Sequence, residues 1–344
     1  MLLVYFVMIA AALLLAGYAY EQAARRKDAA RPHTGELIDV GGYRIHVTDR
    51  GHGGPAVVIL HGAGDCSYSW MHIRKEVAKF TRVVTYDRAG MGSSEPGPAP
   101  TAIHTVHELH TMLSKAGIPG PYVLAGHSLG GLVARLYALE HPDQVAGLVF
   151  LDSTHEYLKD DAKFKQGFAA IGVMIRIMRF LSAFGIPRFM GNVFGLIPMF
   201  GSERAYYERQ LSADEYKLWR AMVYRIFAGN AAAAEFKGAW DLIAAASHRL
   251  HCSDRTPQFA DLPIAVLNNP GFGDSWTTMQ KELASRSANH THRTSDRKGH
   301  SLQMPRPEYV VEAICHVVEQ ARQREGRTFA ASQDKQSPAA VKSS

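Results

Sequence analysis

A serine at position 128 stands between Gly126 and Gly130, each two residues away. The apolar run Tyr122–Ala125 before it predicts a strand, and Leu129–Glu140 after it predicts a helix. A turn this tight needs small residues on both sides of the serine, and it exposes the hydroxyl near the positive end of the helix dipole. Such a hydroxyl can attack an acyl carbon if a neighbouring base removes its proton. The motif therefore predicts a nucleophilic serine.

The base has to be selected among 17 histidines by its position along the chain. His300 follows a polar run at 292–298, where we expect the last strand, and it precedes the predicted helix Pro307–Arg322. A nucleophile in this kind of turn is followed along the chain by an acid and then by a histidine. His290 and His292 lie nearby and are alternatives. We predict His300 as the base.

Two aspartates compete for the role of orienting that histidine. Asp152 directly follows the apolar run Val145–Leu151, and Asp274 follows the run Leu262–Leu267 after a short loop. Both runs predict buried strands, so either carboxylate can lie at the same edge of a sheet as the serine. An acid in this position stabilises the protonated imidazole. The residues alone leave both aspartates open.

Four segments resemble landmarks of the α/β-hydrolase superfamily, and they occur in that family's order within residues 36–322. They read H-G-A-G at 61–64, D-R-A-G-M-G-S-S at 87–94, G-H-S-L-G-G at 126–131 and G-H-S at 299–301. In the family such segments form the oxyanion loop, the turn after the following strand, the nucleophile elbow and the histidine loop. The resemblance implies an α/β-hydrolase fold and a serine hydrolase of the esterase or lipase type.

The resemblance also implies roles for particular residues. The backbone N–H groups of Ala63 and Leu129 would bind the oxyanion. Many members carry the acid after the later strand, but Asp274 stands further along than the usual spacing. The segment 147–156, G-L-V-F-L-D-S-T-H-E, resembles a bacterial subgroup with V-D-S-x-H at this place, so we favour Asp152. Epoxide hydrolases and haloalkane dehalogenases resemble this fold but use Asp at the nucleophile position, which disfavours their chemistry here.

The elements that must position these residues follow from alternating patterns. Glu36–Val40 and Tyr43–Val47, joined by two glycines, predict a β-hairpin, and Ala56–Leu60 predicts a buried strand. Strand patterns then alternate with helical patterns up to residue 151. The alternation predicts a mostly parallel sheet with helices on both faces, built from residues 36–152 and 262–322.

Residues 153–261 interrupt this alternation, because they contain helical stretches and no convincing strand. We predict a helical cap over the active site. Its segment 167–200 is largely apolar and is interrupted by the charged residues Arg176, Arg179 and Arg188. Three interpretations stay open: a lining for an acyl pocket, an interfacial helix lying on a membrane, or the cap's own core.

Residues 1–20 carry no charge, and their helical length matches the core of a bilayer. We predict a single-pass membrane anchor, followed by a polar linker at 21–35. A signal peptide cleaved after Ala19 is the alternative. Basic residues follow the apolar run and none precedes it, which favours a cytoplasmic body; they are Arg25, Arg26, Lys27 and Arg31.

Composition bounds the remaining properties of the chain. Its 344 residues are 47% hydrophobic with a net charge of +6, which suits one large domain with an insertion. The chain has no stripe of Lys and Arg interleaved with aromatic residues, so we expect no nucleic-acid partner. The histidines at 104, 107 and 110 are spread around one predicted helix, and no Cys or carboxylate completes a metal site. We expect neither a metal nor another cofactor, and the oligomeric state stays open.

Two further features concern the cysteines and the end of the chain. Cys66, Cys252 and Cys315 are far apart, so they imply no disulfide framework and agree with a reducing compartment. Residues 323–344 are rich in Ser, Ala, Gln and Lys and predict a disordered tail.

The sequence as a whole predicts a membrane-anchored serine hydrolase that cleaves a small lipophilic carboxylic ester through an acyl-enzyme. An amide, a thioester or a carbon–carbon bond cleaved by the same residues is the alternative reaction. A non-catalytic receptor or scaffold on the same fold is the alternative of another class. The physiological substrate and its acyl length are not specified by the residues.

Overall fold

One twisted sheet organises the part of the chain that the computed structural model describes, which comprises residues 1–31, 34–98, 100–196, 204–251, 259–297 and 299–336. Cys252, parts of the predicted cap and residues 337–344 of the predicted tail lie outside these residues. The sheet has the spatial order β1-β2-β4-β3-β5-β6-β7-β8. Its strands are β1 (Glu36–Asp39), β2 (Arg44–Arg50), β3 (Ala56–Leu60), β4 (Val83–Tyr86), β5 (Tyr122–His127), β6 (Val145–Leu151), β7 (Ile264–Asn268) and β8 (His290–Thr294).

The sheet is mostly parallel, as predicted. Strands β1 and β2 pair antiparallel through the predicted hairpin, with Asp39 opposite Arg44, and β2 is also antiparallel to β4. The pairs from β3 onward are parallel. Every residue of β3, β5 and β7 is buried, which explains why these strands have nearly continuous apolar sequences.

Strand β8 differs from the expected strand at 292–298, because it begins at His290 and ends at Thr294. It is the last strand in the sheet order, and four of its five residues are exposed. An edge strand of this kind has little apolar surface to bury, so its polar sequence gives a weak signal for its limits.

Helices cover both faces of the sheet. On one face α3, α4 and α10 pack into a large apolar cluster, and on the other α2 and α11 pack against the same strands. The helices are α1 (Leu2–Ala29), α2 (Met71–Val77), α3 (Ala102–Lys115), α4 (Leu129–Glu140), α5 (Ala162–Ala183), α6 (Ile186–Val193), α7 (Arg204–Gln210), α8 (Ala213–Ala228), α9 (Ala231–His251), α10 (Asp274–Ser285) and α11 (Pro307–Gln336).

Helices α5–α9 form the helical insertion that the sequence predicted between β6 and β7. Some of their buried side chains, among them Ile175, Trp219 and Phe227, form a second apolar cluster with Met91 and Met304 of the α/β core. In the described part of this insertion no strand occurs. Helix α9 also places Leu242, Ile243 and Leu250 in the apolar cluster beneath the sheet, so the insertion is packed firmly against the rest of the molecule.

Both terminal helices are longer than the sequence predicted. Helix α1 continues to Ala29, so residues 21–29 of the expected linker are helical. Helix α11 continues to Gln336, so residues 323–336 of the expected tail are helical. Both extensions are rich in Ala, Arg, Gln, Glu and Lys, which propagate a helix readily once a packed segment has nucleated it.

Candidate active site

Ser128 occupies the tight turn between β5 and α4, with φ 51° and ψ −120°. A non-glycine residue holds such a conformation only where its surroundings impose it. The neighbouring glycines are required for space: a Cβ on Gly126 would lie 2.5 Å from Gly131, and one on Gly130 would lie 2.2 Å from the carbonyl oxygen of Leu60. The geometry is that of the strand-to-helix elbow that the sequence predicted.

His300 and Asp152 are joined by a short hydrogen bond. The Nδ1–H of His300 donates to Oδ2 of Asp152 over 2.7 Å. The carboxylate is fully buried, whereas the imidazole is 34% exposed. This bond fixes the histidine tautomer, because a proton on Nδ1 leaves the lone pair of neutral imidazole on Nε2.

Further donors surround the Asp152 carboxylate. Trp276 Nε1–H donates to Oδ1 over 2.6 Å, and the backbone N–H of Asn269 donates to the same oxygen over 3.3 Å. The side-chain amide of Asn269 donates to Oδ2. Asp152 itself has φ 47°, so its backbone is also held in an unusual conformation. A buried carboxylate needs such partners, and here they fix its orientation towards the imidazole.

Asp274, the alternative acid, lies at the first residue of α10 and is exposed. Its helix supplies Trp276, which donates to Asp152. The structure thus brings Asp152 to His300, and the segment that carries Asp274 contributes a hydrogen-bond donor to that pair.

The segment that follows Asp152 is held by buried ion pairs. Arg135 and Arg286 both bind the carboxylate of Glu156, the latter over 2.5 Å. Burial alone would raise the pKa of Glu156, but the two guanidinium groups hold it well below its usual range. His155 donates from Nε2 to Glu282 over 2.6 Å. These contacts anchor the segment after β6 and with it the position of Asp152.

His127 connects the elbow to the histidine loop. Its Nε2–H donates to the carbonyl oxygen of His300 over 2.9 Å, and the two rings lie 4.7 Å apart. Burial, with a smaller contribution from His300, lowers the pKa of His127 well below its usual value. The ring is therefore neutral at physiological pH and acts as a fixed donor beside Ser128.

The loop after β3 carries Ala63, the residue predicted to supply one oxyanion donor. Arg88 donates to the carbonyl oxygens of His61 and Gly62, both over 2.7 Å. Glu235 of α9 accepts from Arg88 Nε over 2.5 Å and from the N–H of Gly64 over 2.7 Å. A residue of the insertion thereby helps to hold this loop in place.

His61 takes part in the same network. Its Nδ1–H donates to the carbonyl oxygen of Gly62 over 2.8 Å, and its Nε2 accepts from the N–H of Arg88 over 3.3 Å. Burial, reinforced by the positive charge of Arg88, lowers the pKa of His61 to about 4. The neutral ring uses both nitrogens to fix the loop.

Leu129, the second predicted oxyanion donor, is the first residue of α4, so its N–H precedes the helical hydrogen-bond ladder. Leu129, Ala63, Ser128 and His300 all line one cavity of about 480 Å³. The sheet loops form its floor and α5 and α9 of the insertion form its roof. Its apolar lining consists of Leu158, Phe164, Phe168, Ile171, Phe236, Phe272 and Trp276.

Several residues of the site were not predicted from the sequence. His127 belongs to the elbow motif and Arg88 to the D-R-A-G segment, so both stood within recognised motifs without an assigned task. Asn269 and Trp276 flank the alternative acid. Glu235 gave no signal, because a carboxylate in a helical segment ordinarily faces solvent.

The histidines of α3 have structural partners. His104 Nε2 lies 2.8 Å from the hydroxyl of Tyr43, and the ring of His110 stacks on His141 at 4.1 Å. Across the residues that the structure describes, no group of three His, Cys, Asp or Glu side chains is arranged to hold a metal ion.

Comparison with known proteins agrees with this fold. The sequence matches the model of the alpha/beta hydrolase family over residues 57–313. It is 34% identical over 138 residues to Epoxide hydrolase 2 of Siraitia grosvenorii, a match covering 39% of this chain and 43% of that protein. The chain spans less than half the length of the first curated relatives it matches.

Solved structures are similar over most of the chain. An esterase from Thermogutta terrifontis superposes with a TM-score of 0.58 at 20% identity, covering 84% of this chain and 99% of that one. A putative epoxide hydrolase from Pseudomonas aeruginosa superposes with a TM-score of 0.62 at 19% identity, covering 84% and 96%. At these identities the likeness concerns the fold. With the family match over most of the sequence, it establishes that this chain belongs to the alpha/beta hydrolase family.

Proposed function

We propose that this protein is a serine hydrolase that cleaves a lipophilic carboxylic ester through an acyl-enzyme. The observation that carries the proposal is the 2.7 Å hydrogen bond between His300 and Asp152 beside the strained Ser128, at the floor of an apolar cavity. An activated nucleophile, its base and a group that orients the base are the parts that acyl transfer requires.

In the proposed reaction Ser128 Oγ attacks the acyl carbon while His300 Nε2 takes the hydroxyl proton. The tetrahedral intermediate collapses, its bond to the alcohol oxygen breaks, and the imidazolium returns the proton to the departing alkoxide. Water then attacks the acyl-enzyme with the same base, which releases the acid and free Ser128. Asp152 stays ionised and stabilises the imidazolium in both halves.

The negative charge that develops on the acyl oxygen needs donors in both halves of the reaction. We assign this task to the backbone N–H groups of Ala63 and Leu129. Each mutationally removed donor of this kind typically costs about a hundredfold to a thousandfold in rate. The buried Arg88–Glu235 pair supports the assignment, because it holds the loop that carries Ala63.

The serine oxygen favours ester chemistry over epoxide opening. Attack on an acyl carbon yields an ester, which water can hydrolyse with the same base and the same oxyanion donors. Attack of Ser128 on an epoxide carbon would yield an ether, which these groups cannot hydrolyse. The enzyme would then stop after one turnover. An amide, a thioester or a carbon–carbon bond next to a carbonyl would use the same residues and is the alternative reaction.

The apolar lining of the cavity supports a lipophilic acyl group as substrate. A panel of 4-nitrophenyl esters graded by acyl length tests the proposal. We expect kcat/KM to rise with chain length until the cavity is filled, and we expect Ser128→Ala and His300→Gln to abolish turnover. A folded wild-type protein that cleaves no ester of the panel would contradict it and favour a scaffold.

We also propose that α1 is a single-pass membrane anchor with the body on the cytoplasmic side. Among the described residues, α1 and α5 are long and apolar enough to cross a membrane. Of these two helices, α1 is the one whose apolar stretch has no buried residue. The basic residues at its carboxyl end support the orientation. A reporter fused to the C-terminus should be active in the cytoplasm, and activity only outside it would reverse the orientation.

A further inference from the structure

The insertion exposes a set of large apolar side chains on α5, on α6 and just after α6. Their exposed fractions include 66% for Phe180 and 39% for Ile186. A large exposed apolar surface on a folded domain marks a site of interaction. We call it the cap patch, and it consists of Ile177, Phe180, Ile186, Phe189, Val193 and Phe194.

Helix α1 packs beside this patch. A Cβ on Gly17 would lie 2.4 Å from the carbonyl oxygen of Phe184, so the two backbones are in close contact. The ring of Phe184 lies 5.5 Å from that of Phe180. The hydroxyl of Tyr20 accepts from the side-chain amide of Asn192 over 2.6 Å. The last apolar residues of α1 therefore adjoin the turn between α5 and α6.

The charged residues of α1 begin directly after Tyr20, where the helix contacts the insertion. Glu21 is the first of them, and it is buried by ion pairs with Arg25 at 2.9 Å and Arg188 at 2.8 Å. Arg188 also binds Asp28 over 2.7 Å, which fixes α1 to α6. A membrane surface lies near the end of an apolar spanning segment. If residues 1–20 lie in a bilayer, the surface of that bilayer is therefore level with the cap patch along the axis of α1.

A groove of about 410 Å³ between α1 and α8 lies directly beyond the patch. One carboxylate, Asp28, is among its lining residues. The cations that line it are Lys27, Arg31, Arg188, Lys217 and Arg220. An excess of cations at this depth matches the phosphate groups of anionic phospholipids, which attract basic residues near a membrane surface.

We propose that the bilayer entered by α1 also covers the cap patch, with the patch among the lipid chains and the basic groove against anionic head groups. The inference rests on the proposed anchor. It also adds a source of substrate to the proposed ester hydrolysis, because α5 runs from the cap patch to the cavity that Ser128 lines. Phe168 lines the cavity and Phe180 lies in the patch, about 18 Å apart along one helix. A lipophilic ester dissolved in the bilayer then has a short path to Ser128.

Site-specific fluorescence in the full-length chain tests the inference. Phe180→Cys and Phe189→Cys, each in a chain with Cys252→Ser and Cys315→Ser, are labelled with the fluorophore NBD. Ser114→Cys is the matched control, because it is exposed on α3 next to the amino end of β5, at the edge of the sheet opposite the cap. The proteins are reconstituted into phosphatidylcholine vesicles with or without phosphatidylglycerol.

We expect spin-labelled lipid to quench NBD at positions 180 and 189, and aqueous iodide to quench it at position 114. Quenching of all three by iodide alone would overturn the docking of the patch. Phosphatidylglycerol should increase the lipid quenching, and equal quenching without it would overturn the role of the basic groove. These signals need no turnover, so they remain valid if ester hydrolysis fails.

The substrate path has a separate readout. The double variant Phe180→Asp, Phe189→Asp should hydrolyse a long-chain ester dissolved in vesicles about tenfold more slowly, while its rate on a water-soluble short-chain ester is unchanged. Wild-type rates of the double variant on both esters would overturn the path. An equal loss on both would also overturn it, since that result indicates damage to the site itself.

Discussion

At the scale of single residues, the assignment of the acid depends on hydrogen bonds rather than on sequence spacing. Asp152 receives donors from His300, Asn269 and Trp276 at once. Asp274 is exposed at the start of α10. The proposed mechanism needs an ionised acceptor for the imidazole, and Asp152 has the environment to provide it.

The first prediction concerns this choice. Asp152→Asn should lower kcat about a thousandfold or more, because an amide beside Nδ1 no longer selects the tautomer with a free Nε2. The matched variant Asp274→Asn should keep near-wild-type kcat. Steady-state rates on one 4-nitrophenyl ester measure both, with circular dichroism as the check on folding. Loss of activity in Asp274→Asn alone would assign the acid to the other loop.

A second residue-scale prediction concerns His72, whose Nε2–H donates to the carbonyl oxygen of Gln303 over 2.8 Å. Burial lowers its pKa from 6.5 to about 4. Between these values the unfolded chain binds a proton that the folded chain does not. The contribution of His72 to the free energy of unfolding is therefore complete above pH 6.5 and is lost as pH falls towards 4.

His72→Gln removes this contribution and leaves the other titrating groups in place. The difference in unfolding free energy between wild type and variant should shrink by about 3 kcal/mol from pH 7 to pH 4. Urea unfolding at each pH measures it. A difference that stays constant or grows towards low pH would show that the folded protein binds the proton at His72.

At the scale of elements, the limits of the buried strands and of the elbow helix could be predicted closely. Strands β3 and β6 and helix α4 have the predicted ends, because their apolar runs are almost wholly buried and stop at turn residues. The edge strand β8 could not be placed as well, since its side chains bury little. The partners of Asp152 lie far apart in the sequence, and no local pattern reports such contacts.

The third prediction belongs to the contact between the insertion and the core. Glu235 of α9 and Arg88 form an ion pair that is almost wholly buried. Glu235→Gln leaves the guanidinium charge without its counterion, which typically costs about 3–5 kcal/mol for a buried pair. We expect a loss of that size in urea unfolding, together with a lower kcat because the loop of Ala63 loses support.

An exposed ion pair between the same two parts of the molecule is the control. Arg249 of α9 binds Glu140 of α4, and both side chains are substantially exposed. Glu140→Gln should change the unfolding free energy by less than about 1 kcal/mol and leave kcat unchanged. Similar losses of unfolding free energy for both variants would mean that burial does not make the Arg88–Glu235 pair more stabilising than an exposed pair.

At the scale of the whole molecule, three features support the proposed contact with a membrane. Helix α1 is apolar and unburied, the cap patch adjoins it, and the basic groove lies just beyond its apolar part. The sequence revealed the first of these, and it left the apolar segment 167–200 with three interpretations. Its exposed positions depend on how α5 and α6 pack against α1, which the sequence pattern does not specify.

The fourth prediction tests this arrangement in cells. The full-length chain should remain in the membrane fraction after washing with alkaline carbonate, which removes peripheral proteins, because α1 buries an uncharged span of bilayer length. Immunoblotting of the washed fractions measures it. Release of most of the protein into the wash would contradict an anchor that spans the bilayer.

The central claim is that Ser128 is the nucleophile of this site. A fluorophosphonate probe reacts with a serine only when a neighbouring base and oxyanion donors activate it, so mass spectrometry of the labelled full-length protein tests the claim most directly. The account predicts one adduct, on the peptide containing Ser128, and none in Ser128→Ala or His300→Gln. A folded wild-type protein that stays unlabelled, or that carries the adduct on another serine, would contradict it.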